Sequence, residues 1–348
     1  MIITYLRSSS YNTHSLCEQQ YYIEYNLGIK SPSGKAAMSG TITHKVMEIL
    51  SEIKLCKQNN TNEYIDNIVG KISTEEYNLE EITENVYVYY TSQPNNHVWM
   101  PKDLKKVLKN VNVMITSHNG EFDPRNRNIV SSEGHFDILI DKDWAEYEYD
   151  LPEGKIKGKL GIKGTIDLIT ESNTNTLEII DLKCGKRKDW ATGEEKTLAK
   201  LYKDPQLRMY HYAVSHMYPK YDHIIVTINY INDGGAFSVC FSGDDLAETE
   251  DMIRMKFMAI KKCKKPRLSR SWKCRKMCHF GKNTFVGHPS ILPIIEYRDD
   301  QVCENGMPMT MCEQIRHDMN LMGIKDTTDK YQPDDYSVAH YKAPGAVE

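Results

Sequence analysis

The chain has 348 residues, 40% of them hydrophobic and 26% charged, with a formal net charge of −4. That length allows one large domain or two smaller ones around a real core, and the balance excludes a collagenous, disordered or membrane-embedded class. No apolar run approaches the ~18 residues a membrane span needs, and "MIITYLRSSSYNTHSLC" at the N-terminus carries no signal-peptide pattern. Nine irregularly spread cysteines do not read as a disulfide framework. The expectation is a cytoplasmic protein, of a bacterium or a phage-infected host or held at the nucleoid, with no membrane partner.

Taken in chain order, "SSSYNTHSLCEQQYYIEYNL" (8–27) opens with cap-type serines and reads as a helix closed by Gly28. A second helix spans about Thr41 to Leu55, with Ile42, Val46, Ile49, Leu50 and Ile53 on its apolar side. His44 and Glu48 are its polar exceptions, four apart and so on one face. Residues 60–125 are polar and predicted mostly helical, with acidic "STEEYNLEEITE" and basic "PKDLKKVLKN", to which no chemistry attaches. From 129 the period shifts to strands. "IVSSEGHFDILID" is followed by a Gly- and Lys-rich turn, "EGKIKGKLGIKG", then "TIDLIT" and, after the hairpin-like "ESNTN", "TLEIIDLK". Residues 195–217 are helical with a restart near Pro205. "HIIVTINYI" and "AFSVCF" are strands, and a helix starts near Asp244. From Arg254 to Lys276 there are eleven Lys or Arg and no acid. Lys261, Lys262, Lys264, Lys265, Arg267 and Arg270 are the candidate cations there for holding a polyanion, a solvated helix end being about as good a reading. The final residues, rich in Asp, Lys, Pro and Thr, read as a tail without fixed structure.

Four polar insertions fall where core elements should be apolar: His44, Asp167 in "GTIDLIT", Asp181 with Lys183 in "IIDLKCGK", and Gln206 with Tyr210 in "QLRMY". In a strand, Asp181 and Lys183 point to one face and Leu182 to the other. Burying such charges is costly unless they are paired or form a site. Asp167 and Asp181 lie at corresponding levels of successive strands, and convergent carboxylates repel unless a cation sits between them. A hard divalent ion, Mg²⁺ or Mn²⁺, suits oxygen ligands, and His44 would add a nitrogen. A structural ion pair remains the plainer reading of any one of these residues.

Together "GTITHKVMEIL", "GTIDLIT", "IIDLKCGK" and "QLRMY" resemble the ordered motifs of the PD-(D/E)XK nuclease superfamily, and specifically its RecB-like exonuclease branch, which includes CRISPR-associated and phage members. "SLCEQQYYIEYNLG" is similar to that branch's first helix, and Glu133 sits where the branch often has an acid ahead of the second motif. The resemblance covers roughly residues 8–280. It implies an α/β fold: a restriction-endonuclease-like core with a central mixed sheet flanked by helices, and an N-terminal helical region. The expected division is a helical part over 1–128, a nuclease core with the basic, cysteine-bearing segment over 129–300, and a partly disordered extension over 301–348. The resemblance also implies Asp167, Asp181, His44 and the backbone carbonyl of Leu182 as metal ligands. Lys183 would be the catalytic lysine, with Gln206 and Tyr210 positioning it and the phosphodiester. Many RecB-like nucleases hold a [4Fe–4S] cluster, for which Cys17, Cys263, Cys274 and Cys278 are the candidates. The C-x10-C-x3-C spacing departs from the family's usual one, with Cys303 and Cys312 as substitutes. A zinc site including His279 and unliganded thiols stay open.

The function expected is a Mg²⁺- or Mn²⁺-dependent DNA exonuclease acting on single strands or duplex ends in recombination, repair or phage DNA metabolism. No helicase P-loop is present, so unwinding would need a helicase or recombination partner. The alternatives are a structure-specific endonuclease of the same superfamily and a non-catalytic DNA-binding adaptor that keeps the fold.

Overall fold

The computed structural model describes residues 1–93, 97–151, 154–189, 193–269, 272–276, 278–281 and 310–331. Its first half runs β1 (Tyr5–Leu6), α1 (Ser8–Leu16), α2 (Glu18–Tyr21), α3 (Lys35–Gln58), β2 (Glu63–Asp66), β3 (Gly70–Ser73), α4 (Leu79–Ser92), α5 (Pro101–Thr116) and β4 (Ile129–Leu139). There follow β5 (Glu146–Leu151), β6 (Gly154–Lys159), β7 (Gly161–Asn173), β8 (Thr176–Lys183), α6 (Leu198–Tyr202), α7 (Pro205–Met217), β9 (His223–Tyr230) and β10 (Gly235–Phe241). Last come α8 (Asp244–Lys262), α9 (Trp272–Lys276) and α10 (Met311–Tyr331). The chain forms two compact units of discontiguous stretches, a different cut from the linear division expected: Met1–Pro32, Ile138–Ile162 and Asp251–Glu348 make one, Ser33–Asp137 and Lys163–Glu250 the other. Among the described residues no helix is long and apolar enough to cross a membrane.

The second unit holds a mixed sheet. β8 pairs antiparallel with β7 and parallel with β9, β9 pairs antiparallel with β10, and β4 also pairs with β7. With β8 enclosed between two neighbours, its Leu177, Ile179 and Ile180 are all fully buried, as the near-continuous apolar run of an interior strand requires. Met47 and Leu50 of α3, Met114 of α5, and Leu168, Ile180 and Leu182 share one core cluster. Ile42, Val46, Ile49 and Ile53 of α3 pack with Ile82 and Val86 of α4 and Val107 and Val111 of α5 in another. The helix restart expected near Pro205 is real. Asp204 accepts from the Gln206 N–H at 2.9 Å with Pro205 in the first turn, a combination that starts a helix cleanly.

Residues 60–125 are mostly helical as expected, through α4 and α5, but β2 and β3 form a hairpin among them, because the Asp66 carboxylate accepts from the Ile68 and Val69 N–H groups and Gly70 takes φ 75°. One local expectation fails. The glycine- and lysine-rich "EGKIKGK" is not a turn but supplies β6 of the first unit. It alternates Lys155, buried Ile156 and Lys157 opposite β5, and the Tyr147 ring lies over Gly158, where an added Cβ would come 2.7 Å from the hydroxyl.

In the first unit β1 pairs parallel with Gly161 and Ile162, the opening residues of β7. Ile23, Leu27 and Ile29 pack with Phe280 and with Met311, Cys312, Ile315 and Tyr331 of α10. Within the extension over 301–348, expected to be partly disordered, α10 is helical and contributes core residues.

Buried His211 of α7 stacks on Phe241 with ring centroids 5.0 Å apart. Burial pulls its pKa from 6.5 down to about 4, so the unfolded chain takes up the proton first. Stability held above pH about 6.5 is therefore lost as pH falls towards about 4. His211→Phe should flatten this acid limb in denaturant-unfolding curves taken across that range.

Candidate active site

His44, Glu133, Asp167, Asp181, Lys183, Gln206 and Tyr210 all belong to the second unit. Leu168 lies opposite Ile180 in the β7/β8 register, which sets Asp167 level with Asp181. Asp181 is fully buried. Its Oδ2 is 2.7 Å from Lys183 Nζ, and its Oδ1 accepts from Lys183 Nζ at 2.9 Å and from Gln206 Nε2 at 3.1 Å. The Asp167 Oδ2 accepts the Leu182 N–H at 2.8 Å and lies 3.4 Å from His44 Nδ1. The Leu182 side chain points into the core.

The electrostatics divide the two carboxyls. Burial alone would raise both, but the His44 contact and the Lys183 charge hold Asp167 below its usual range. Asp181 is pushed up to about 6, by burial that Lys183 only partly offsets and by the charge of Asp167. Lys183 and His44 are both raised despite burial, Lys183 chiefly by Asp181 and His44 chiefly by Asp167. Facing carboxylates in one dry site split in this way.

His44 Nδ1 or Nε2 and carboxylate oxygens of Glu133 and Asp167 lie within 4.8 Å of one another, close enough to hold a metal ion. Glu133 was missing from the expected ligands; its one signal was an acid preceding the second motif. It sits in β4 at φ 45°, a left-handed conformation that costs a non-glycine residue energy and clusters at functional sites. Its carboxyl is pushed up to about 7 by burial and by Asp167 and Glu48. Asp181 is not part of this set: its oxygens are turned to Lys183 and Gln206.

Gln206 and Tyr210, one turn apart on α7, continue the network. The Gln206 Nε2 donates to the Tyr210 hydroxyl at 2.7 Å, and that hydroxyl donates to the Thr165 carbonyl at 2.8 Å. The Phe136 ring meets Tyr210 edge-on at 6.2 Å.

The remaining candidates lie in the first unit. Cys17, Cys274, Cys278 and Cys312 sit near enough for each thiolate's charge to be felt at Cys312, whose thiol burial raises first. Burial likewise pushes the Cys278 thiol up to about 11. Gly281 packs against Cys274 so closely that a Cβ would come 2.4 Å from its carbonyl oxygen. Cys263 faces elsewhere: its thiol donates to the Glu18 carboxylate at 3.7 Å. Of the basic candidates, Lys261 donates to the Glu146 carbonyl at 2.6 Å and Arg267 pairs with Glu18 at 3.4 Å. Lys262, Lys264 and Lys265 are exposed. Arg270 and Cys303 lie outside the described residues.

An added Cβ at Gly164 would come 2.5 Å from the Phe136 ring. Gly164→Ala should therefore displace Phe136 against Tyr210, lowering stability by about 1–3 kcal/mol in thermal melts, and adding Phe136→Leu should restore most of it.

No curated protein matches the chain. Among solved structures it is similar to a candidate exonuclease from Eubacterium rectale, at 10% identity and TM-score 0.45, with 78% of this chain and 86% of that one covered. The protein SSO0001 is similar at 11% identity and TM-score 0.29, over 79% of this chain and 84% of that one. The model of the PD-(D/E)XK nuclease superfamily matches residues 8–280. That span takes in His44, Glu133, Asp167, Asp181, Lys183, Gln206 and Tyr210, and the chain belongs to the PD-(D/E)XK nuclease superfamily.

Proposed function

We propose that this chain is a metal-dependent DNA exonuclease, degrading single strands or duplex ends in DNA repair, recombination or phage replication. The observation that carries the reading is Asp167 level with Asp181 across a strand pair, with Lys183 Nζ 2.7 Å from Asp181 in a buried setting.

The donor set fits a hard divalent cation, Mg²⁺ or Mn²⁺. His44, Glu133 and Asp167 would hold it, with Asp181 and the Leu182 carbonyl as further ligands. Glu133 and Asp181 both sit above the usual carboxylate range, Glu133 because burial and neighbouring acids disfavour its charge, Asp181 because burial and Asp167 outweigh Lys183. That is how carboxylates short of one positive charge behave, and a cation would release their protons. When bound, the ion supplies an activated water and neutralises phosphate charge. Lys183 holds Asp181 in place, and its remaining protons can be offered to the charge that builds on a phosphate. Gln206 fixes the free edge of Asp181 and, through Tyr210, ties it to the Thr165 backbone.

Linear end-labelled DNA should disappear with Mn²⁺ or Mg²⁺ while closed circular DNA persists. Chelation should stop the reaction. Asp181→Ala and Lys183→Ala should each slow it by about 10²–10³-fold or more. A folded wild type that cuts neither substrate overturns the reading; cleavage of the circle makes the chain an endonuclease.

Cys17, Cys274, Cys278 and Cys312 are our candidate set for a [4Fe–4S] cluster. A single zinc with bonds of about 2.3 Å needs closer sulfurs than these four, which do not all lie within 4.8 Å of one another. Anaerobically purified protein should carry iron and sulfide that Cys312→Ser removes and Cys263→Ser leaves; the reverse pattern restores Cys263 to the set.

A further inference from the structure

Helix α5 carries a feature that the catalytic network does not use. Lys102, Lys105, Lys106 and Lys109 follow the i, i+3, i+4, i+7 spacing of one helical stripe, and all four are exposed. The opposite face is apolar and buried through Val107, Val111 and Met114, so packing fixes which way the lysines point. Among the described residues none of the four pairs with a carboxylate, whereas Lys35 beside them is held by Asp103 at 2.6 Å.

Two contacts tie the stripe to the reaction site. The Asn232 side-chain amide donates both to the side-chain Oδ1 of Asn110 on α5 at 3.1 Å and to the backbone carbonyl of Cys184 at 3.3 Å. Cys184 directly follows Lys183. The row of cations therefore starts beside the end of β8 and runs away from it along the helix.

We propose that this stripe is a phosphate track that holds one strand of DNA as it leads into the Asp167/Asp181/Lys183 site. The proposal rests on the nuclease reading above for what happens at the end of the track, but not for the binding itself. Seven residues of α-helix advance about 10 Å, a length matching about three phosphates at ~3.4 Å per strand. A single narrow row of unpaired ammonium groups fits one backbone rather than the two faces of a duplex. Lysine acts here as a point charge without base selectivity, which suits a surface that must pass any sequence.

The test is binding of a fluorescein-labelled single-stranded oligonucleotide in EDTA, by anisotropy, across a KCl series. It compares wild type with the quadruple variant K102Q/K105Q/K106Q/K109Q. Glutamine keeps nearly the helix propensity of lysine, and a thermal melt checks that the variant folds. With ~0.7 counterions released per neutralised phosphate and about three phosphates on the track, the slope of log affinity against log salt should shrink by about two. Affinity at low salt should drop at least about tenfold. A K262Q/K264Q/K265Q variant tests the other candidate DNA-binding cations in the same assay and should change the slope less. With Mn²⁺ and DNA, the quadruple variant should show a raised KM and an unchanged kcat. An unchanged slope and affinity in the folded quadruple variant overturns the track even if wild type cuts DNA. A reduced slope with no cleavage by wild type supports the track and sinks the nuclease reading instead.

Discussion

The arrangement of the second unit follows from one costly choice: a carboxylate with no exposed surface, Asp181, at the end of an interior strand. A lone buried charge is untenable, so neighbouring elements must bring it partners. Lys183 comes from the same strand two residues on, and Gln206 from the first turn of α7. Asp204 and Pro205 fix where α7 begins, hence where Gln206 stands. Tyr210 then anchors Gln206 to the neighbouring strand through the Thr165 carbonyl. Removing any one of these would leave another polar group unsatisfied in a dry interior, so the network is specified as a unit.

Beside this sits a second, looser group. His44, Glu133 and Asp167 come from α3, β4 and β7, three separate elements whose ligand atoms converge. Asp167 belongs to both groups, accepting the Leu182 N–H while facing His44. It is the joint through which the geometry of the Lys183 pair is passed to the ligand set.

Much of this was legible in the sequence because the exceptions to its patterns were legible. Asp167, Asp181 and Lys183 interrupt strand-type runs, and His44 interrupts a helical apolar face. The β7/β8 hairpin was readable from "ESNTN", so the pairing of the two aspartates followed. Glu133 was not readable in this way, since "SSEGHFDI" is already polar and an acid there breaks no pattern. The β2/β3 hairpin was hidden for a related reason: only the Asp66 turn, a side chain capping two amides, separates it from the helices around it. The two-unit division could not be read at all, because each unit gathers stretches far apart in the chain and local periodicity carries no information on that. Cys312 was likewise only a substitute, since its packing with Ile23 and Leu27 joins stretches far apart in the chain.

The superfamily match stops at residue 280, yet the apolar cluster around Phe280 does not. Met311, Cys312, Ile315 and Tyr331 complete it from beyond that boundary. A chain shortened to the matched region would keep every residue of the Asp181 network and still leave Ile23, Leu27, Ile29 and Phe280 facing water. Such a surface favours self-association. The limits of the recognisable nuclease and the limits of the foldable molecule therefore differ, and the stretch least like a nuclease decides whether a trimmed chain stays in solution.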